Sequence, residues 1–128
     1  MKKEIADELV TALRSGDYPQ ARSQLRTPDG YCCLGVLCDI AYNEEVIDGW
    51  MEHVNPNDGL TRYRIAGESG ILPDSVQQWA GMKTDNGGYY LDNDDPEEEM
   101  ANCLAQDNDG GKTFAEIADF IEKRYMDL

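Results

Sequence analysis

The stretch Tyr31-Cys32-Cys33-Leu34-Gly35-Val36-Leu37-Cys38-Asp39 is the least polar run in an acidic chain, and its reading decides the fold. Leu34, Leu37, Cys38 and Ala41 recur at i, i+3, i+4 and i+7, the spacing of one helix face. Val36 and Ile40 widen that face, so a helix over 33–42 is predicted to be buried on much of its circumference. Just upstream, Thr27-Pro28-Asp29-Gly30 is turn chemistry: Pro presets one φ, Asp bonds its own backbone, and Gly tolerates φ > 0. The flanks of that turn, within 24–33, are expected to pair as a short hairpin leading into the helix.

Three of the four cysteines lie in this run, and the fourth is Cys103. Adjacent Cys32 and Cys33 lack the two-residue gap of a zinc knuckle, and no Cys-x-x-Cys occurs. The single histidine, His53, has no cysteine near it in sequence. The cysteines therefore read as reduced core residues acting as small hydrophobes, with neither a metal site nor a cofactor expected.

At 128 residues the chain is expected to form one domain with a core large enough to need no staples. Met1-Lys2-Lys3 is followed at once by Glu4, Asp7 and Glu8, so no leader is expected. No apolar run approaches the roughly 18 residues of a membrane helix. The expected location is the cytoplasm of a bacterial host, with the thiols kept reduced. A net charge of −15 argues against direct binding to nucleic acid or an anionic membrane, because phosphate contacts need Lys and Arg. It favours attraction to a basic protein surface instead. The charge is uneven: residues 1–34 carry five basic and five acidic residues, so the whole deficit lies beyond them.

Ahead of the central run, Ile5, Leu9, Ala12 and Leu13 mark an amphipathic helix near 2–14, with Gly16 as its C-cap. In the polar stretch that follows, Tyr18, Arg22 and Arg26 are candidates for gripping a small anion such as a nucleotide, since guanidinium groups hold phosphate bidentately. No Gly-rich phosphate loop accompanies them, and the many carboxylates offer these arginines ordinary partners. Residues 43–60 read as a long connection anchored by Trp50 and Met51, and 61–65 as an edge strand with its arginines outward. Pro73 opens a short helix near 73–80 that Gly81 closes.

Residues 85–111 hold nine acids and no Lys or Arg. Tyr89 to Leu91 is a strand candidate. Asp92, Asp94, Asp95, Glu97, Glu98 and Glu99 are the candidate partner-binding residues, with Glu97 to Glu99 placed in the first turn of a helix near 97–105. Asp107-Asn108-Asp109-Gly110 resembles part of a calcium loop, but setting Gly110 at the sixth position puts Ala105 where the first carboxylate belongs. Thr113 and Glu116 form a capping-box pair instead, opening an amphipathic helix over 113–126 on Phe114, Ile117, Ala118, Ile121 and Tyr125.

These pieces, taken together, resemble a family of small proteins encoded in bacteriophage and prophage genomes. The matching segments are Leu13-Arg14-Ser15-Gly16 with Tyr18 and Gln20, Leu25-Arg26, and the run Tyr31 to Asp39. Further on come Leu72-Pro73 with Val76, Trp79, Ala80 and Gly81, then Gly111 to Asp119 with Ile121-Glu122. The resemblance implies a genomic context and no chemistry; Asp92 to Glu99 fall outside its pattern.

The fold expected is α+β, a mainly helical single domain with a small antiparallel sheet, in which the last helix covers the 33–42 helix. No nucleophile–base constellation and no nucleotide fingerprint occur, so the reading leans to binding over catalysis. It points to a small acidic phage-type accessory protein that binds a basic, nucleic-acid-handling host or phage protein, inhibition of host defence being one such role. The alternative is a small-molecule protein that takes a nucleotide or other anion in a pocket made by Tyr18, Arg22 and Arg26.

Overall fold

In the computed structural model, which describes residues 1–128, helix α2 (Cys33–Asn43) sits in the middle of the core. Every residue from Cys33 to Cys38 is buried, as are Ile40 and Ala41. The helix starts where Cys32, in extended conformation, turns its sulfur to accept the Gly35 N–H at 3.3 Å. Gly35 is glycine for lack of space: a Cβ there would stand 1.7 Å from the Leu25 carbonyl oxygen. The backbone of the preceding segment thus presses directly on the helix. Between them, β1 (Arg26–Thr27) and β2 (Gly30–Tyr31) pair antiparallel as the turn chemistry predicts, with Arg26 opposite Tyr31 and Thr27 opposite Gly30.

Helix α1 (Lys3–Arg14) buries Ile5, Ala6, Leu9, Val10 and Leu13, a stripe wide enough to meet two neighbours. One is α2. The other is α5 (Phe114–Arg124), opened by a capping box in which Thr113 and Glu116 exchange hydrogen bonds, each 3.2 Å long. The last helix therefore lies along α1 and not over α2 as the apolar stripes suggested. Arg14 reaches across that seam to Asp119 at 2.7 Å and Glu122 at 2.9 Å. Because α2 is apolar on nearly all sides, it is covered by several elements at once: α1, β2, α3 (Asp74–Ala80) and α4 (Leu104–Asp109).

The strands form three separate antiparallel ribbons instead of one sheet. In the second, β3 (Met51–Val54) pairs with β4 (Thr61–Arg64) from Met51–Arg64 to Val54–Thr61. The edge strand at 61–65 is present, but its partner fell within the stretch read as loop. All four residues of β3 are exposed, so no one-sided burial pattern marks it in the sequence. Met51 is 70 % exposed and anchors nothing.

The helix expected near 97–105 begins later. Residues 91–101 run through turns, and β6 (Asn102–Cys103) pairs with β5 (Gly88–Tyr89). The N–H groups of Leu104 and Ala105 then bond to the carbonyls of Gly87 and Asn86. Those bonds hold the chain in the ribbon until Cys103, whose sulfur accepts the Gln106 N–H at 3.5 Å and starts α4. No helix is long and apolar enough to cross a membrane.

Candidate functional site

The acidic run forms a loop closed at its base by the β5–β6 ribbon. Its aspartates hold its shape: Asp94 accepts the Leu91 N–H at 2.7 Å, Asp95 accepts the Glu97 N–H at 2.9 Å, and Asp92 lies 3.8 Å from Arg124. The Tyr90 hydroxyl donates to the Glu98 carbonyl at 2.6 Å, and Arg124 donates to the Tyr90 carbonyl at 3.0 Å. Lower down, Tyr89 donates to Asp107 at 2.6 Å. Glu97, Glu98 and Glu99 are exposed and pair with no cation. The six acids thus divide by role. Asp94 and Asp95 bond to the loop's own backbone, whereas Asp92, 93 % exposed, and the three glutamates face solvent.

Tyr18, Arg22 and Arg26 do not form one pocket. Tyr18 and Arg26 meet around Tyr31, whose ring lies edge-on to Tyr18 with centroids 5.1 Å apart. The Arg26 guanidinium sits over three rings, 4.3 Å from the centroid of Tyr63, 5.2 Å from Tyr31 and 5.6 Å from Trp50, within cation–π range of each. Beneath them Asp39 accepts the Tyr18 hydroxyl at 2.6 Å and the Trp50 Nε1–H at 3.1 Å. Burial, reinforced by the Asp39 hydrogen bond, holds the Tyr18 phenol well above its ordinary pKa, and burial also raises Tyr31. All six side chains are half-buried. The result is an ordered aromatic surface with one cation set into it and no cavity.

Arg22 lies elsewhere. It lines a cleft of about 270 Å³ with Thr27, Asp29, Thr61 and Arg62. Arg62 is engaged by Asp58 at 3.0 Å, whereas Arg22 makes no ion pair. The loop carrying Arg22 is pinned by α4. Buried Asn108 accepts from Gln20 at 2.9 Å and from the Cys33 N–H at 3.2 Å, and donates to the Ala21 carbonyl at 2.8 Å. Asp109 accepts the Ser23 N–H at 2.8 Å. The residues that resembled a calcium loop thus tie a distant loop to the start of α2, and no group of three potential ligands converges anywhere.

All four cysteines are free and buried. Burial pushes the Cys32 thiol up to about 11 and raises Cys33 and Cys38 further, which disfavours the thiolate form. On the outer side of α1, Asp7, Glu8, Thr11, Asp17 and Tyr18 line an open groove. A hydrogen bond to Glu44, aided by slight desolvation and by the Glu44 charge, pushes the exposed Glu8 carboxyl up to about 7. Its carboxylates oppose an anion, so this groove is no substitute for the pocket expected around Tyr18.

Tyr31, Asp39, Trp50 and Tyr63 were not singled out as site residues from the sequence. One signal was available: Tyr31 and Asp39 bracket the apolar run, both polar-tipped where the run itself is not. The contributions of Trp50 and Tyr63 depend on the β3–β4 ribbon, which was invisible. A family model described as a domain of unknown function, DUF8296, matches residues 1–125. Neither a curated protein nor a solved structure matches the chain.

Proposed function

We propose that this chain, which belongs to the DUF8296 family, is a small acidic accessory protein of phage type that docks on a basic surface of a host or phage protein. The observation that carries the reading is the 91–101 loop. Asp94, Asp95 and Tyr90 bond within it and hold its shape, and Asp92, Glu97, Glu98 and Glu99 present exposed carboxylates. A held loop loses little conformational entropy on docking, and a net charge of −15 draws basic partners over long range. A basic patch that ordinarily holds nucleic acid is the partner class such a loop fits, including that of a host defence protein in the bacterial cytoplasm.

The test is affinity for a captured partner, measured between low and high salt, for the chain and for the triple variant Glu97→Gln, Glu98→Gln, Glu99→Gln. Wild-type affinity should fall steeply with salt, and the variant should bind more weakly with a flatter dependence. Affinity indifferent to salt, or equal in the variant, refutes it.

The Arg22 cleft supports a second reading, a small anion such as a nucleotide gripped by Arg22, the one cation of that cleft without an ion pair, against the opposing charge of Asp29. Nucleotides at 100 times Kd should then stabilise the fold by about 2.7 kcal/mol, and Arg22→Gln should abolish that gain. Absence of any shift across a nucleotide panel rules it out.

A further inference from the structure

We propose that the surface built by Tyr18, Arg26, Tyr31, Trp50 and Tyr63 on Asp39 is a second docking site, one that takes a protein segment presenting a carboxylate among apolar side chains. It is separate from the acidic loop and does not depend on that loop's role.

Arg26 stands among the rings of this surface. The chain has 26 acids, yet none pairs with this guanidinium. No protein acceptor takes its N–H groups either, although Arg14, Arg62, Arg64 and Arg124 all find acceptors. Three aromatic rings hold it instead. Contact with ring faces neutralises none of the guanidinium's charge and uses none of its five N–H donors. Donors left without a protein acceptor are matched by a carboxylate, which accepts two parallel hydrogen bonds from a guanidinium.

The rings supply the rest. Trp, Tyr and Arg are the residues that dominate binding energy at protein interfaces, and they do so in partly desolvated clusters. Asp39 spends both oxygens on fixing Tyr18 and Trp50, so these rings are held before any partner arrives. Val54, 55 % exposed, extends the apolar area on the side of the ribbon that Tyr63 shares with Glu52, the exposed residue directly opposite it.

Charge selects the class of partner. Nucleic-acid binding needs several cations on one face to displace counterions. Arg62 and Arg64 point to the opposite side of the ribbon from Tyr63, and Arg22 lines the separate cleft. One unpaired guanidinium among aromatic rings matches one carboxylate, not a phosphate polymer. No cavity opens among these rings, so a flat protein segment fits and a small enclosed ligand does not.

The experiment is selection of 12-residue peptides from a displayed random library on the full chain, followed by affinity measurement for the best peptides. Wild type, Arg26→Gln, Arg26→Lys, Arg22→Gln and the triple Glu97/Glu98/Glu99→Gln variant are compared, with circular dichroism and melting confirming the fold of each. The selected peptides should carry Asp, Glu or a free C-terminal carboxylate beside apolar or aromatic residues. Arg26→Gln should weaken them about tenfold or more, and Arg26→Lys should recover only part of the loss. Arg22→Gln and the triple variant should bind like wild type. Peptides without a carboxylate, peptides indifferent to Arg26, or no enrichment of acidic peptides would overturn the proposal. So would a single-stranded oligonucleotide whose binding is lost in Arg26→Gln, because the site would then be one for phosphate.

Discussion

Asp39 accepts the Tyr18 hydroxyl on one oxygen, at 2.6 Å, and the Trp50 indole N–H on the other, at 3.1 Å. Two rings from separate loops are thereby fixed to one turn of the central helix. Tyr18 and Trp50 are consequently tied directly to the buried helix beneath them.

Replacing Asp39 by Ala should remove both hydrogen bonds at once. Each goes to a charged acceptor in a half-buried setting, so the loss should be about 2 kcal/mol of stability. Trp50 should also gain freedom and water contact, shifting its fluorescence to the red in a Trp79→Phe background. Unchanged emission together with an unchanged denaturation midpoint would show that the rings are held by packing alone.

Gly35→Ala tests the other support of that helix. The added Cβ would meet the Leu25 carbonyl at 1.7 Å, and neither partner is the flexible end of a side chain. The helix or the 19–25 segment has to shift, at a cost of about 1–3 kcal/mol or more. Because Gly35 is helical, Ala would gain roughly 1 kcal/mol at an unobstructed position. Denaturant unfolding that shows stabilisation would mean that this close approach does not exist in solution.

How far the sequence could be read follows from which signals are local. The turn at Pro28-Asp29, the buried helix after it, the Gly81 cap and the Thr113–Glu116 capping box rest on residues within a few positions of each other, and all are present as expected. What failed rests on distant partners. Strand β3 has no buried face, so its pairing with β4 leaves no period in Met51-Glu52-His53-Val54. Glu97 to Glu99 carry a helix-start composition, yet the backbone there belongs to the approach to β6. For the candidate site, Tyr18 and Arg26 were legible as candidate site residues in a polar stretch, though not as half-buried ones. That they share Tyr31, and that Arg22 turns to another cleft, depends on how Asn108 and Asp109 pin the intervening loop from α4. No spacing rule connects positions 87 apart.

The thiols offer a readout of core integrity. Burial raises Cys32, Cys33 and Cys38, so little thiolate exists at neutral pH and reagents have no path to the sulfur. In the folded protein, a disulfide-exchange reagent at pH 8 should label the four cysteines only as fast as the chain opens. Full labelling should appear once denaturant passes the unfolding midpoint. Prompt labelling of any one in native conditions would place that cysteine at the surface.

The Glu8–Glu44 contact should make stability depend on pH in a defined direction. Glu8 titrates near 4.5 ordinarily and is pushed up to about 7 in the fold, chiefly through its hydrogen bond to Glu44. Between those values the folded chain binds more protons at this position than the unfolded chain, so its contribution to stability is full below about pH 4.5 and drains away as pH rises through about 7. Many other carboxylates titrate in the same interval, so the melting temperature of wild type alone does not isolate the effect. The comparison with Glu8→Gln does, because glutamine keeps a hydrogen-bonding side chain and has no proton to lose. The variant should match or fall slightly below wild type at pH 4.5 and exceed it at pH 8, with the crossover inside that window. A difference between the two proteins that stays constant from pH 4.5 to 8 would mean that Glu8 and Glu44 swing apart in water and share no proton.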